Sequence, residues 1–512
     1  MSLHANALIT YAVFITLVCA ACSSKSEVAP TPPVEPAPVV AAPTPVKAVA
    51  TPDTPKTAPV AVVEAPHGRV VRLTQHGITW TFAEPVGSGT FANGDHWVIG
   101  PVRIVGITTD LHAPGFTPKP GEDGSMVNPG TNDKQGYDSR VGSYQANLNA
   151  ALVEGQPIAA ERPLNLQPNS SLVSMVSWLY RSATDAEPGI PGFNGGTKAP
   201  RPVTRAGAVL TVLSAAPPAG SFRPPYVGDD KAVKFNVAQL DRSKLKNLTP
   251  VADTPAVATL EKQMERPWID HVHQYLGAMV HPSENMPNYG QHMGHVMIQA
   301  ALMLHLDFTK LPGQPSKDKL LIEFVQYGID LAGIADHGGN WPANGGHLLG
   351  RKWPILFAGA MLNDSHMQDV GNWKTRFQED DQTFYVSQAE VDVTNGPKWH
   401  PDKRAKLVPY TAADIGLPEW GIWHASDPGA DNRSWDATYR PINASVYPGF
   451  VLAARLMGLE DAWKHKALFD YTDRWMKDTN GVHGSARLPA FAKSMWDAYA
   501  ASTKIRDGIQ RR

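Results

Sequence analysis

Between residues 336 and 354 the chain reads DHGGNWPANGGHLLGRKWP. Two histidines, two asparagines, an arginine, a lysine and two tryptophans crowd into nineteen positions, punctuated by glycines. Glycine lets the backbone turn tightly and approach a ligand. Buried core does not carry so many polar groups without partners. Asn, His, Arg and Trp are the residue types that read and react with a charged sugar, so this stretch reads as an active-site loop. Asn340 suits hydrogen bonding to a carboxylate that gains charge during reaction. Arg351 offers a planar fork for that group. His347, Trp341, Asn344 and Lys352 complete the set, although Asn344 is also an ordinary turn residue.

Two further clusters carry reactive types. The first, NYGQHMGH from 288 to 295, opens a strong helical pattern. His292, His295 and Gln299 fall at i, i+3 and i+7, one helix face, with Tyr289 and Gln291 beside them. The second runs from Glu419 to Tyr447 and holds Trp423, His424, Arg433, Tyr439, Arg440 and Asn443. Aromatic rings with a polar edge stack on sugar faces. A cation such as Arg440 beside Tyr439 favours the phenolate.

Together the clusters supply what β-elimination on a uronic acid requires. A neutraliser stabilises charge on the C5 carboxylate, a base removes the C5 proton, and an acid protonates the departing O4. Asn340 and Arg440 suit the first task, and His292, His347 and Tyr439 the others. No metal or other cofactor is needed. The competing chemistry is glycoside hydrolysis, which needs two carboxylates flanking the bond. Asp336, Glu419, Asp431 and Asp436 are its candidates. Hydrolysis leaves the His, Asn and Arg residues without a task. A non-catalytic glycan-binding envelope lipoprotein leaves the whole loop without one. A metal site at His271-x-His273, His337 or His347 lacks a recognised ligand spacing, since i and i+2 on a helix point apart.

The elements that position these residues divide by texture. An apolar run from about residue 7 to 18 ends in small residues and reads as a secretory signal, too short for a membrane span. Ala20-Ala21-Cys22 resembles a bacterial lipobox with Cys22 as the lipidated residue, and an ordinary cleaved signal is the alternative. The chain is therefore expected to be exported and lipid-anchored at the bacterial cell envelope, on the outer membrane or cell surface; otherwise it is periplasmic or secreted. Both cysteines, Cys19 and Cys22, lie here. The exported part thus has no disulfide and no thiol nucleophile. Residues 23–66 form a Pro/Ala-rich linker, with eleven prolines from 25 to 66, an extended stalk. A net charge of −2 with no basic block gives no reason to expect nucleic acid. It leaves an acidic polysaccharide as the expected partner.

About 445 of the 512 residues remain, enough for two domains. From 67 to 250, short β-like runs at 69–73, 78–82, 96–105, 170–178 and 208–213 predict a β-sandwich-like domain. The polar stretch 121–140 reads as a long surface loop, or as a cover over a shared site. From 251 to 512, helical periodicity at 256–273, 289–308, 317–334, 351–362, 446–457, 460–477 and 490–500 predicts a catalytic domain. Its helices are expected to form antiparallel hairpins in an (α/α) toroid, an incomplete barrel with the site at its mouth. The expected class is thus multidomain α+β.

Several segments resemble bacterial helical-toroid polysaccharide lyases of the glucuronan/alginate group. They are FRPPYVGDDK, GRKWPILFAGAMLND, FQEDDQTFYV and LPEWGIWH. Gly339-Asn340-Trp341 and Tyr439-Arg440 are similar to the neutralising and Tyr/Arg positions of such enzymes. The resemblance spans about residues 220–512 and is strongest from 289 to 440. It implies metal-independent cleavage of a uronic-acid polymer. His292, His347 and His424 all remain open as the base.

Overall fold

The computed structural model describes residues 68–182, 184–191, 200–286, 290–396, 409–421, 439–483 and 486–510. The signal-like segment with Cys22 and the Pro-rich stalk lie outside these residues.

The first half is built of β1 (Arg69–Gln75), β2 (Ile78–Thr90), β3 (His96–Ile99), β4 (Val102–Thr109) and β5 (Ser125–Val127), a small hairpin of β6 (Leu152–Val153) and β7 (Gln156–Pro157), then β8 (Leu164–Leu166), β9 (Ser170–Ser177) and β10 (Thr204–Leu213). Seven strands join in the order β5-β9-β10-β3-β2-β4-β8, and β1 pairs with β2 off that path. Ile78, Trp80 and Phe82 on β2 alternate inward, as a half-buried strand requires. They close one core with Val98, Ile104, Leu172 and Leu210. All eight residues of β9 are buried, because its other face is covered too. Val173, Met175 and Val209 belong to a second, larger core that runs through the helices to Met495. The core is therefore continuous across residue 250.

The helices are α1 (Val257–Met264), α2 (Gln274–Val280), α3 (Gly290–Met303), α4 (Asp318–Asp336), α5 (Lys352–Leu362), α6 (Ser365–Gln368), α7 (Gln378–Asp381), α8 (Gln388–Asn395), α9 (Tyr439–Ala444), α10 (Tyr447–Met457), α11 (Glu460–Trp463), α12 (Lys466–Thr479) and α13 (Ala490–Gln510). Two short ladders, β11 (Thr383–Tyr385) with β12 (Pro418–Trp420) and β13 (Val482–His483) with β14 (Ala486–Arg487), lie among them. Small residues allow close crossings. A methyl on Gly328 of α4 would stand 2.2 Å from the Pro354 carbonyl of α5, and one on Gly449 of α10 would stand 2.3 Å from Ile298 of α3. Among the described residues no helix is long and apolar enough to cross a membrane.

The expected architecture is overturned. The fold is mixed α/β, built on one large sheet curled into a half-barrel, and among the described residues no helical toroid is evident. Nor is the sheet a separate sandwich. The physical reason lies in what each apolar face meets. The exposed-looking face of β9 and β10 packs against helices, and residues 279–284 run along the start of β10, with Val203 N donating to Met279 O at 2.8 Å. All eleven residues of α5 are buried, so it is a central helix. A helix apolar on every face is buried on every side.

Candidate functional site

The glycine loop is held from beneath by α7. Gln378 is fully buried. Its Oε1 accepts the N–H groups of Asn344 at 3.2 Å and Leu348 at 2.9 Å. Its Nε2 donates to Gly345 O at 2.8 Å and to Asn443 Oδ1 at 3.1 Å. Gln382 adds a second donor to Gly345 O at 3.0 Å. Glu379, also fully buried, accepts from the N–H groups of Gly350 and Lys352, each at 3.3 Å. Burial, then the neighbouring charge of Asp380, pushes the Glu379 carboxyl up to about 7. Gly345 and Gly350 have φ of 56° and 89°, the left-handed region where a side chain is strained. A loop with this many anchored amides is a preorganised platform.

Three sequence clusters converge on that platform. A methyl on Gly345 would stand 3.4 Å from Tyr439 Cε1 and 3.8 Å from His347 Cδ2, so phenol and imidazole both approach one glycine. Tyr439 starts α9 and is 37% exposed. His347 is half-buried. Burial, then the positive charges of Arg201 and Arg351, hold its imidazole down to about 4. From α3, His295 Nε2 meets Ser445 Oγ at 3.0 Å, just after α9. Its ring lies 6.1 Å from that of exposed His292. Burial holds both imidazoles down, His295 to about 4 with a contribution from His292. Gly350 closes the arrangement, because a methyl there would touch Phe450 at 3.0 Å and the Gly294 Cα at 3.5 Å.

Other expected site residues have different tasks. Arg351 is buried, and its NH2 donates to Asp270 Oδ1 at 2.7 Å. Asp270 also accepts from Tyr327 OH at 2.6 Å and pairs with His281 Nε2 at 3.1 Å. Burial alone would raise the Asp270 carboxyl, but the charges of Arg351 and His281 hold it far below the usual range. Arg440 is fully buried and bonded to Glu419. Neither arginine is the exposed fork expected from the sequence; each forms part of a buried ion pair instead. Asn340 Nδ2 donates to Gly338 O at 2.9 Å and its Oδ1 accepts from Arg376 N at 2.9 Å. Its amide therefore ties two backbone segments together. Trp341 is buried, stacked on Phe377 at 5.7 Å, and serves as core rather than as a sugar platform. Asn443 is fully buried and links α9 to Gln378. Asn344 is half-buried in the loop. Gln291 sits in the first turn of α3. Tyr289, Trp423, His424, Arg433, Asp431 and Asp436 lie outside the described residues.

Among the described residues, the candidate carboxylates Asp336 and Glu419 do not pair across a cleft. Asp336 is exposed and meets His366 Nε2 at 2.7 Å, while Glu419 is fully buried against Arg440. His271 is buried between the hydroxyls of Tyr137 at 3.3 Å and Tyr226 at 3.4 Å. Among the described residues no group of three or more His, Cys, Asp or Glu is placed to hold a metal ion.

Sequence reasoning missed Arg201, Ser445 and Gln378. Arg201 is exposed and close enough to His347 for its charge to count. It comes from the turn before β10, and nothing in the sequence links it to a loop so far along the chain. Gln378 and Glu379 left one signal, a polar QEDDQ run placed directly after Phe377.

No family model, curated protein or solved structure matches the chain.

Proposed function

We propose that the chain is a polysaccharide lyase that cleaves a uronic-acid-containing polymer of the glucuronan or alginate type by metal-independent β-elimination. The observation that carries this reading is that His347 and Tyr439 both come within 4 Å of the position a methyl on Gly345 would take. An imidazole kept neutral at pH 7 accepts a proton, and an exposed phenol donates one. In the reaction His347 takes the C5 proton, the C4–O4 bond breaks as the C4–C5 double bond forms, and Tyr439 protonates the departing O4. A base held down to about 4 is weak on its own. A substrate carboxylate docked beside it favours the imidazolium and raises its basicity in the complex. Arg201, exposed and near enough to His347 for its charge to count, takes the carboxylate-binding task in this reading. The resemblance of the Tyr439-Arg440 region to lyases supports the chemistry and not the ring-shaped fold. Among the described residues, Asp336 at the surface and Glu419 buried against Arg440 do not form the flanking pair that hydrolysis needs. Export and a lipid anchor at Cys22 suit an enzyme acting on a polymer outside the cell.

The test is ultraviolet absorbance during incubation with alginate, glucuronan, pectate and glycosaminoglycans in separate reactions. Rising absorbance of an unsaturated 4,5 product identifies elimination and the uronate together. New reducing ends with flat absorbance would point to hydrolysis and reject the reading. With an active polymer in hand, Arg201→Ala is expected to raise KM about tenfold with a smaller change in kcat, the mark of lost binding. An unchanged KM removes Arg201 from the carboxylate site.

A further inference from the structure

A cavity of about 300 Å³ opens on the outer side of α4, lined by residues from separate stretches of chain. Ile329, Ala332, Gly333 and Asp336 lie at i, i+3, i+4 and i+7, one face of the helix. Phe222 and Pro225 form a second wall, Phe235 a third and Met367 a fourth. The site is concave and mainly apolar, as small-molecule sites are. A dry cavity of roughly half this volume accommodates a benzene ring. This one therefore suits a flat body of about a dozen non-hydrogen atoms.

The charged groups at its mouth are unbalanced. Asp336 and Asp364 supply two carboxylates, and Lys234 one ammonium. Lys234 is already matched by Asp230 at 3.1 Å. Arg223 also lines the cavity but is buried, with its guanidinium bonded to Asp95 at 2.5 Å and Asp330 at 2.6 Å. Asp336 has one oxygen on His366 Nε2, and His366 is fixed by stacking on Trp373 with ring centroids 4.6 Å apart. The last turn of α4 ends at Asp336, so the helix dipole adds negative potential. An apolar chamber with a negative mouth selects a cation with an apolar body.

We propose that this cavity is a binding site for a small organic cation, an aromatic or bicyclic body carrying a primary ammonium, with the ring between Phe222, Phe235 and Ile329 and the ammonium at Asp336. Its lining shares no residue with the site around Gly345. An ammonium about 4 Å from a partly exposed carboxylate is worth around tenfold in affinity.

The experiment is isothermal titration calorimetry of the full chain with three probes built on one indole ring: tryptamine, neutral 3-ethylindole and anionic indole-3-propionate. Tryptamine is expected to bind saturably and about tenfold tighter than 3-ethylindole, with indole-3-propionate weakest. Asp336→Asn should lower the tryptamine preference about fivefold or more and leave 3-ethylindole unchanged. Ala332→Trp should fill the chamber and abolish both. If Ala332→Trp does not fold, the Asp336→Asn ratio decides alone. The proposal is overturned by absent tryptamine saturation, by indole-3-propionate binding as well as tryptamine, or by a preference that Asp336→Asn leaves intact.

Discussion

Arg351 and His347 stand four residues apart on one loop, and Tyr439 and Arg440 are adjacent, yet the members of each pair have opposite fates. The arginines turn inward, to Asp270 and Glu419, and are fully or almost fully buried. His347 and Tyr439 stay at the surface around Gly345. A guanidinium is the cation best able to satisfy buried carboxylates, because its planar fork makes several directed bonds at once. The chemistry that nominates arginine for a substrate carboxylate nominates it equally for an internal one. Residue type therefore could not say which side chains turn inward to a buried carboxylate and which stay at the surface.

The comparison breaks most visibly at Asp270. Asp270→Ala leaves Arg351 buried without its counter-charge and removes acceptors from Tyr327 and His281. Loss of one member of a buried pair costs about 3–5 kcal/mol, and a large drop in the urea midpoint is expected. A change below about 1 kcal/mol would mean that the pair is not structural, and would return Arg351 to the list of substrate ligands.

On the other side, Tyr439→Phe removes one hydroxyl from a partly exposed ring. Stability should stay within about 0.5 kcal/mol of the parent. Turnover of the polymer identified by absorbance should fall by about 100-fold or more, the usual worth of a general acid. Near-normal turnover removes Tyr439 from the mechanism and ends the contrast with Arg440.

Most individual elements were legible in the sequence, whereas their arrangement was not. The runs at 69–73, 78–82, 170–178 and 208–213 fall on β1, β2, β9 and β10, and those at 289–308, 317–334 and 351–362 overlap α3, α4 and α5. Some limits were misread for local reasons. The 96–105 run is two strands, divided at Gly100-Pro101, and 460–477 is two helices, separated where Lys464 adopts a φ of 61°. Periodicity reports which face of an element is covered but not by what. A strand buried on both faces reads the same whether a sheet or a helix covers its second side. The expected sandwich and toroid failed on that ambiguity. At the site, the three clusters were visible because polar types were dense in each. Gln378, which anchors the glycine loop from about thirty residues away, left only the polar QEDDQ run, and nothing in that run ties it to the loop.

A second polar knot sharpens the contrast through pH. His112 Nε2 lies 2.7 Å from Asp123 and its Nδ1 3.1 Å from Glu187, tying the segment after β4 to the one after β9. Burial opposes its charge, but the two carboxylates outweigh burial and raise the imidazole to about 9. His347 is held down where His112 is held up. The His112 contribution is fully present below the unfolded value near 6.5 and is lost as pH rises through about 9. It is expected to be roughly 2 kcal/mol after solvent screening. Urea midpoints between pH 6.5 and 9.5 should therefore fall in the parent and fall less in His112→Gln. Parallel profiles would show that the knot carries no net charge coupling.

The smallest effect is expected at Asn340, where sequence and structure disagree most sharply about role. Its amide joins the Gly338 carbonyl to the Arg376 N–H, so Asn340→Ala removes two hydrogen bonds from half-exposed backbone. A cost of about 1 kcal/mol follows, since groups that water can reach do not suffer the full penalty of a lost partner. Turnover should remain within a few-fold of the parent once the protein is folded, because the anchors of Gly345 come from α7 and not from this residue. A loss of 100-fold or more at unchanged stability would place the Asn340 amide on the substrate after all. The backbone bonds would then be a resting arrangement that the bound carboxylate displaces, and Asn340 would join His347 and Tyr439 on the ligand-facing side of the loop.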